Sequence, residues 1–470
     1  MASEIRLTAD WVAAAMGGTI VAGAGRGEFS GVSIDTRTLR AGELYVGIRG
    51  EKYDGADFSG AAVEAGAAGV VVPRGRGKQV AGTAANAAVI EVDDTTAALQ
   101  ALARETRRAS GTRVVAITGS AGKTTTKEVT ADFLGATYRV IRNRGNLNNH
   151  IGLPLSLMEL TARPDIAVVE LGMNHAGEIS TLMRIAEPEV RVWTNVGDAH
   201  LGFFASVDAI ADAKAEIMEG ATKDSVLVAN ADDPLVAARM KRFAGQLLTF
   251  GIERPADVRA EHVIDRGIDG TAARITTPKG AFELRTPLIG RGNLSNVLAA
   301  TAVGVHFDVP IETMGERAAK LMPAHHRGDV VRLSRGVVVI DDSYNANPTA
   351  TRRAIDVLRL SPTTGRRVAV IGEMLELGDH GEPLHQLVGE AAAKAGVDQL
   401  VTIGGPNAVG VAVAAIMAGL PRANAHYFKT SEEAAGAFAS FVRDGDLVLV
   451  KGSRGIRTDL VVDRLKAEFA

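Results

Sequence analysis

The segment 114–127 constrains the fold of this chain more than any other part of the sequence. It contains an apolar stretch typical of a buried strand, a turn with Gly119 and Gly122, and a run from Lys123 with helical composition. A strand that leads through a tight turn into a helix is the unit of a parallel sheet, because parallel neighbours must be joined by a crossover. The pattern therefore predicts an α/β fold, with further strand candidates at 166–171, 190–196, 225–229, 337–340, 367–371, 399–403 and 447–450.

The turn in this segment has the composition of a phosphate-binding loop. Residues 118–124 form a shortened P-loop, T-G-x-x-G-K-T, since the full pattern would place a glycine at Ile117. Glycines let backbone N–H groups converge on phosphate oxygens, and the start of the helix adds partial positive charge. Lys123 is suited to reach the β- and γ-phosphates and Thr124 to bind Mg²⁺. The predicted nucleotide-binding residues of the loop are Gly119, Ser120, Ala121, Gly122, Lys123, Thr124 and Thr125.

The length of 470 residues allows about three domains. Short apolar runs in 1–85 predict a small α/β domain. Residues 86–322 carry the phosphate loop and change after Phe250 to a two-residue alternation, which predicts an antiparallel addition to a central parallel sheet. A hinge is predicted at 323–335, and 323–470 return to strand–helix alternation without G-x-G-x-x-G, which predicts a Rossmann-like domain that does not bind NAD.

Composition and charge exclude several classes of function. The formal net charge of -3 gives no reason to expect nucleic acid or an anionic membrane as a partner. The absence of cysteine excludes disulfides, thiolate metal sites and cysteine nucleophiles. The N-terminus has no basic segment of the signal-peptide type, and the apolar run 409–420 is shorter than the roughly 20 residues of a membrane span. We expect a soluble cytoplasmic protein, and nothing requires more than a monomer.

Polar residues follow two of the predicted strands. Glu170 stands near the end of one strand, where a P-loop protein needs a metal ligand, although a surface acid before a turn is the alternative. His200 follows the strand 190–196 and is a second candidate ligand, although a loop histidine is more often just polar surface. Lys214 lies in the helical run 209–219, and nothing in its spacing distinguishes it from a solvated helix lysine.

Together these segments resemble the Mur ligases through nearly the whole chain. Segment 118–127 resembles their P-loop, 146–154 their N-x-N-N-x-x-G-x-P motif, and 170–175 and 198–201 their two metal-site stretches. Segment 290–296 resembles their G-x-H-N-x-x-N stretch near the adenine, but Gly292 replaces the usual histidine. A side-chain contact at that position is therefore expected to be lost or supplied elsewhere.

The C-terminal segments resemble the branch of the family that adds a dipeptide. The resembling segments are 326–328, 341–348, 372–378 and 451–454, and D-S-Y-N-A-N-P at 342–348 is the most specific. Segments 33–37 and 47–50 resemble, more loosely, the stretches that cradle a UDP group, while a local turn ion pair is the alternative for Asp35 and Arg37.

The resemblance implies an ATP- and Mg²⁺-dependent amide ligase that joins D-alanyl-D-alanine to UDP-N-acetylmuramoyl-tripeptide through an acyl phosphate, in peptidoglycan precursor synthesis. It implies that Thr124, Glu170, His200 and Lys214 hold the metal, with Lys214 carbamylated, and that the last three act with Lys123 in catalysis. It assigns Asn293, Asn296, Arg327 and Asp342 to the nucleotide. It assigns to the substrates Asp35, Arg37, Asn146, Asn148, Asn149, Tyr344, Asn345, Asn347, Lys451 and Arg454.

Two alternatives stay open at this point. A sister ligase would add one amino acid to a UDP-muramoyl peptide or glutamate to folate, although the chain lacks the D-N-P-[RK] motif of members that add a diamino acid. A P-loop ATPase switch belongs to another class, because the loop alone does not separate a ligase from a switch, a motor or a small-molecule kinase. No Asn-Lys dipeptide occurs, so the guanine-binding N-K-x-D motif is absent and a GTPase is disfavoured.

Overall fold

The structure is a computed structural model that describes residues 4–23, 27–81, 87–438 and 441–470. The chain divides into two compact units. The first comprises Met1–Ala116, Tyr138–Met173 and Gly177–Arg191, and the second comprises Ile117–Thr137, Asn174–Ala176 and Val192–Ala470. The predicted domain boundary between residues 85 and 86 lies outside the described residues, and the three-domain division at these positions stays a prediction.

The N-terminal strands belong to the first unit. They are β1 (Leu7–Thr8), β2 (Thr19–Ala22), β3 (Glu28–Phe29), β4 (Val32–Ser33), β5 (Leu44–Val46), β6 (Gly69–Pro73) and β7 (Ala88–Val92). Among the described residues, β2-β7-β6-β5-β4 form a sheet in that order, in which all pairs are parallel except β2 with β7. This confirms a small α/β domain, whose core includes Tyr45, Val70 and Val89.

The middle of the chain carries the next group of strands. They are β8 (Arg113–Thr118), β9 (Val140–Arg142), β10 (Ile166–Glu170), β11 (Val190–Trp193), β12 (Val226–Asn230), β13 (Gln246–Gly251), β14 (Val258–Asp265), β15 (Thr271–Thr277) and β16 (Gly280–Thr286). In the first unit, β9 and β10 are parallel. In the second unit, β12, β13 and β14 are parallel, whereas β15 pairs antiparallel with β14 and β16. The predicted antiparallel addition after Phe250 is confirmed.

The C-terminal strands form a sheet within the second unit. They are β17 (Asp329–Arg332), β18 (Val338–Asp342), β19 (Arg367–Gly372), β20 (Gln399–Ile403), β21 (Ala425–Phe428) and β22 (Leu447–Lys451). In the described part of the chain their order is β17-β18-β22-β19-β20-β21, and all pairs are parallel except β17 with β18. The Rossmann-like prediction is confirmed. The segment predicted as a hinge, 323–335, contains the edge strand β17, because these residues pair with β18.

Helices follow most of the strands. They are α1 (Ala9–Ala15), α2 (Ser59–Glu64), α3 (Gly77–Ala81), α4 (Thr95–Ser110), α5 (Lys123–Leu134), α6 (Gly152–Leu157), α7 (Glu178–Ala186), α8 (Val207–Ala215), α9 (Pro234–Arg239), α10 (Gly290–His306), α11 (Ile311–Ala318), α12 (Pro348–Leu360), α13 (Gly381–Lys394), α14 (Pro406–Met417), α15 (Ser431–Phe438) and α16 (Asp459–Glu468). Local capping explains several starts, since the side chains of Thr8, Asp94 and Asn347 accept N–H groups from the first turns of α1, α4 and α12. Within the described residues, no helix is long and apolar enough to cross a membrane.

Candidate active site

The phosphate-type loop joins the end of β8 to the start of α5, and two glycines fix its shape. Gly119 has φ 153° and Gly122 has φ 81°. A Cβ atom on Gly119 would overlap the hydroxyl of Thr194, and one on Gly122 would overlap the side-chain amide of Asn296. Glycine is therefore required at both positions, for the backbone conformation and for the close approach of neighbouring side chains.

The segment after β11 holds the loop in place. The amide of Ala121 donates to Asn195 Oδ1 at 2.9 Å, and Asn195 Nδ2 donates back to the Ala121 carbonyl at 3.0 Å. The Ser120 hydroxyl accepts the Gly197 amide at 2.9 Å, and the Thr194 hydroxyl donates to the Ala121 carbonyl at 2.9 Å. These bonds prearrange the loop, and no side chain caps the described helix α5 at its start.

Lys123 and α10 complete the surroundings of the loop. Lys123 Nζ donates to the Gly119 carbonyl at 2.8 Å, so the ammonium group lies over the loop. Asn296, which is buried, accepts the Thr126 hydroxyl at 3.3 Å and donates to Asn293 Oδ1 at 3.2 Å. Asn293 in turn donates to the Ile289 carbonyl at 3.0 Å. Both asparagines predicted for the nucleotide thus lie on the first turns of α10, and Asn296 is next to Gly122.

Three contacts join this region to the C-terminal part of the chain. His200 Nδ1 lies 2.6 Å from Glu376 Oε2, and the Gly202 amide donates to the Glu376 carbonyl at 2.9 Å. The Thr349 hydroxyl donates to Asp198 Oδ2 at 2.8 Å. Neither Glu376 nor Thr349 was predicted as a site residue. Glu376 lies in the segment 372–378 that carries the family resemblance, but its partner is 176 residues away in sequence, and local pattern contains no signal for such a pair.

Three basic side chains converge near the loop. Lys214 is 2% exposed, and burial, with the positive charge of Lys123, lowers its pKa well below the usual value. Burial also lowers the pKa of His200, an effect that Lys123 and Lys214 increase and Glu376 opposes. The alternative interpretation of Lys214 as a solvated helix lysine is excluded, because α8 turns this side chain into the protein. The site is therefore suited to an anionic group.

The C-terminal loops present a second group of predicted residues. Lys451 is 3% exposed, and its Nζ lies 2.7 Å from Asp342 Oδ2 and 2.9 Å from the Asn345 carbonyl. The guanidinium groups of Arg327 and Arg454 lie 4.2 and 5.6 Å from the centre of the Tyr344 ring. Two cations on one ring form a rigid basic surface for a carboxylate or phosphate.

Other predicted C-terminal residues have structural partners. The side chain of Asn347 accepts the Ala350 amide at 2.8 Å and begins α12, and Asn345 Oδ1 accepts the Ala346 amide at 2.9 Å. A buried carboxylate, Asp341, accepts the Ser343 hydroxyl at 2.6 Å and lies 2.7 Å from His326 Nδ1. The Asp341 side chain thus fixes the residues that flank Arg327 and Tyr344.

The remaining predicted residues of the middle region lie in the first unit. Glu170, which is 4% exposed, accepts the side-chain amide of Asn148 at 2.8 Å, and its own amide donates to Asn143 Oδ1 at 2.9 Å. Asn149 accepts the Gly152 amide at 2.8 Å, at the start of α6, and Asn146 is exposed. The structure therefore brings Glu170 together with one asparagine of the predicted N-x-N-N motif.

Asp35 and Arg37 pair with each other, at 2.6 Å between Arg37 Nη2 and Asp35 Oδ2. The hydrogen bonds from Arg37 lower the pKa of Asp35 to about 2. The turn ion pair left open as an alternative is present.

In the part of the chain that the structure describes, no group of three or more His, Cys, Asp or Glu side chains is arranged to hold a metal ion.

Comparison with known proteins identifies related chains. A model of the Mur ligase middle domain matches residues 117–304, one described as the Mur ligase glutamate ligase domain matches 326–454, and one described as the Mur ligase family catalytic domain matches 28–107. The UDP-N-acetylmuramoyl-tripeptide–D-alanyl-D-alanine ligase of Bacillus subtilis (strain 168) is 36% identical, over 93% of each chain. The enzyme of that name from Escherichia coli (strain K12) is 35% identical, over 79% of this chain and 81% of the relative.

Solved structures of similar proteins match nearly the whole length of this chain. MurF from Acinetobacter baumannii matches with a TM-score of 0.88 and 29% identity, over 99% of this chain and 100% of that one. MurF ligase from Thermotoga maritima in complex with ADP matches with a TM-score of 0.80 and 28% identity, over 93% of this chain and 97% of that one.

Proposed function

Because this chain belongs to the Mur ligase family, we propose that it joins D-alanyl-D-alanine to UDP-N-acetylmuramoyl-tripeptide with consumption of ATP. The observation that carries the proposal is the 36% identity, over 93% of both chains, to a relative with that activity in its name, together with the intact phosphate loop. The reaction is that of an ADP-forming ligase of peptidoglycan precursor synthesis, and the chain is proposed to act as a cytoplasmic monomer.

The reaction needs two stages, because a carboxylate is a poor acyl donor at neutral pH. The tripeptide carboxylate first attacks the γ-phosphate of ATP, which gives an acyl phosphate and ADP. The amine of D-alanyl-D-alanine then attacks the acyl carbon, and phosphate leaves. Correct relative placement of the substrates supplies much of the acceleration.

The phosphate loop is suited to the first stage. The glycines at 119 and 122 leave room for the loop backbone to approach phosphate oxygens, and the start of α5 offers amides and partial positive charge. Lys123, held over the loop, would neutralise charge that develops on the transferring phosphoryl group. Ser120, Ala121, Thr124 and Thr125 belong to the same turn, with Asn293 and Asn296 alongside it on α10.

The donor set of the second unit fits Mg²⁺ once Lys214 is carbamylated. Magnesium prefers oxygen ligands, and an ammonium group would repel it. Burial lowers the pKa of Lys214 and so favours the neutral amine, which is the form that reacts with carbon dioxide. Carbamylation would then place carboxylate oxygen atoms on Lys214, close to Lys123 and His200. Thr124, His200 and carbamylated Lys214 would hold the ion, which supplies charge neutralisation at the phosphates. The part of Glu170 in metal binding stays a prediction.

Substrate recognition is assigned by resemblance and by charge. Arg327, Arg454 and Tyr344 form the basic surface proposed for an anionic group of the dipeptide or nucleotide. Lys451 and Asp342 pair with each other and would help to hold the loops that carry this surface. The roles of Asn345 and Asn347 toward the dipeptide, and of Asp35, Arg37, Asn146, Asn148 and Asn149 toward the UDP-linked substrate, stay predictions.

The test is phosphate release with Mg-ATP and UDP-N-acetylmuramoyl-tripeptide, with D-alanyl-D-alanine, single amino acids or no amine. Release only with the dipeptide is expected. Release with a single amino acid and the matching shorter acceptor would make the chain a sister ligase. Steady release with ATP alone would contradict a ligase and indicate a P-loop ATPase switch.

A further inference from the structure

The space beside Gly292 is occupied by an arginine from the C-terminal part of the chain. A Cβ atom on Gly292 would lie 3.8 Å from Cδ and 3.9 Å from Nη1 of Arg353, which are ordinary van der Waals distances. Gly292 lies in the first turn of α10, and Arg353 lies in α12. An arginine of a different helix therefore lies beside the position where glycine replaces the usual histidine.

Packing between the two helices places Arg353. One turn further along α12, Val357 lies against the start of α10, and a Cβ atom on Gly290 would approach Val357 Cγ2 to 2.6 Å. Glycine at 290, with φ 79°, thus permits α12 to come close to α10. This close packing brings α12, and Arg353 with it, next to the start of α10.

Arg353 has no strong partner among the described residues. It forms no hydrogen bond or ion pair with them, and it remains accessible to solvent. The surrounding atoms nevertheless lower the pKa of its guanidinium, which Asp233 opposes and the neighbouring Arg352 reinforces. Asp233 uses its carboxylate for the amides of Val196, Leu235 and Val236. An accessible cation without a close partner in the described residues is suited to bind a ligand.

The position of Arg353 relative to the phosphate loop indicates which ligand it binds. Asn296, one helical turn after Gly292, touches Gly122 of the phosphate loop. One turn of helix is about 5.4 Å long. A nucleotide whose phosphates occupy the loop therefore has its base and ribose within reach of Arg353, and the planar guanidinium group is suited to stack on a purine.

We propose that Arg353 contacts the base and ribose half of the bound ATP and so completes the nucleotide site from the C-terminal part of the chain. The inference rests on the proposed function, because it requires that ATP binds at the loop. Gly292 has no side chain to cover the nucleoside, and Arg353 covers it from α12 instead.

The test measures dissociation constants for ATP, ADP and inorganic tripolyphosphate by calorimetry, for the wild type and for Arg353→Ala. Loss of one such contact is expected to weaken ATP and ADP binding about tenfold. Tripolyphosphate binding should be unchanged, because it lacks the nucleoside. Arg353→Lys keeps the charge but not the plane, so it should also bind ATP more weakly than the wild type.

Arg352→Ala is the matched control, because it removes an exposed arginine from the same helix, and it should leave ATP affinity within about twofold. Thermal unfolding checks that each variant is folded. Wild-type ATP affinity in Arg353→Ala, or an equal loss with tripolyphosphate, would overturn the inference while leaving the proposed function intact. A wild-type protein that binds neither nucleotide would overturn the proposed function and the inference with it.

Discussion

His200 and Glu376 lie 2.6 Å apart, and this contact joins the loop after β11 to the loop after β19. Glu376 adopts φ 66°, and its carbonyl accepts the Gly202 amide, so both its main chain and its side chain engage the same loop. Gly202 and Gly378 are so close that a Cβ atom on Gly202 would lie 2.7 Å from the Gly378 amide nitrogen. A carboxylate on one imidazole nitrogen orients the ring and leaves the other nitrogen for a ligand.

Replacing Glu376 with glutamine should weaken the binding of Mg²⁺ and leave the fold intact. The amide keeps the shape but loses the charge that orients His200, so the Mg²⁺ concentration for half-maximal phosphate release should rise about tenfold. Glu382→Gln, on the exposed start of α13, is the control. An unchanged Mg²⁺ titration for Glu376→Gln would show that this contact does not support a metal ligand.

Replacing Gly122 with alanine should abolish nucleotide binding. The new Cβ atom would overlap Asn296, and the alanine backbone would have to adopt φ 81°. The loop would therefore shift away from the position in which Asn195 and Thr194 hold it. ATP affinity, measured by calorimetry, should fall by at least about 100-fold.

Gly396→Ala is the matched control for that substitution. Gly396 also has a positive φ, 71°, but a Cβ atom there meets nothing within 4 Å. The backbone strain, about 1 kcal/mol, should lower stability without lowering ATP affinity. Equal ATP affinities for the two variants would contradict the role given to the packing of Gly122 on Asn296.

Replacing Lys214 with methionine should leave the protein folded and inactive. The apolar side chain suits a position with 2% exposure, so the unfolding temperature should not fall, while phosphate release should drop at least about 100-fold. Lys223→Met, at an exposed position, is the control. Wild-type protein freed of carbon dioxide should lose activity and regain it with bicarbonate; activity that persists without carbon dioxide would contradict carbamylation.

His385 should make the stability of the folded chain depend on pH. The buried ring accepts the Met374 amide at Nε2 and donates from Nδ1 to the Gly381 carbonyl, an arrangement that requires the neutral form. Burial lowers the pKa of His385 in the folded state below the unfolded value of about 6.5. The unfolded chain therefore binds the proton more readily than the folded chain. The contribution of neutral His385 to the stability of the fold is complete above about pH 6.5 and is lost as the pH falls.

The measurement is the free energy of unfolding in urea at about pH 7.5 and about pH 5, for the wild type and His385→Gln. The variant lacks this titration, so the wild type should lose more stability on acidification, by at most about 1.4 kcal/mol per pH unit between the two pKa values. Identical pH dependence of the two proteins would show that His385 is not the group responsible.

Several features were determined by local sequence. The phosphate loop begins and ends where its glycines and Lys123 predict, because turn geometry depends on the residues of the turn itself. α4 begins after Asp94, whose side chain caps its first turn, and the alternation after Phe250 gives the antiparallel strands β15 and β16. Such features follow from periodicity and from neighbours in sequence.

Only the tertiary structure decided which side chains meet. The burial of Lys214, the pair of His200 with Glu376, and the place of Arg353 above Gly292 all depend on packing between segments far apart in sequence. A lysine on a helix has the same local pattern whether its face is turned to solvent or to the interior, so sequence periodicity leaves its environment undetermined. The chemistry of the loop was therefore encoded locally, while the electrostatic surroundings that adapt it to its ligands were set by the fold.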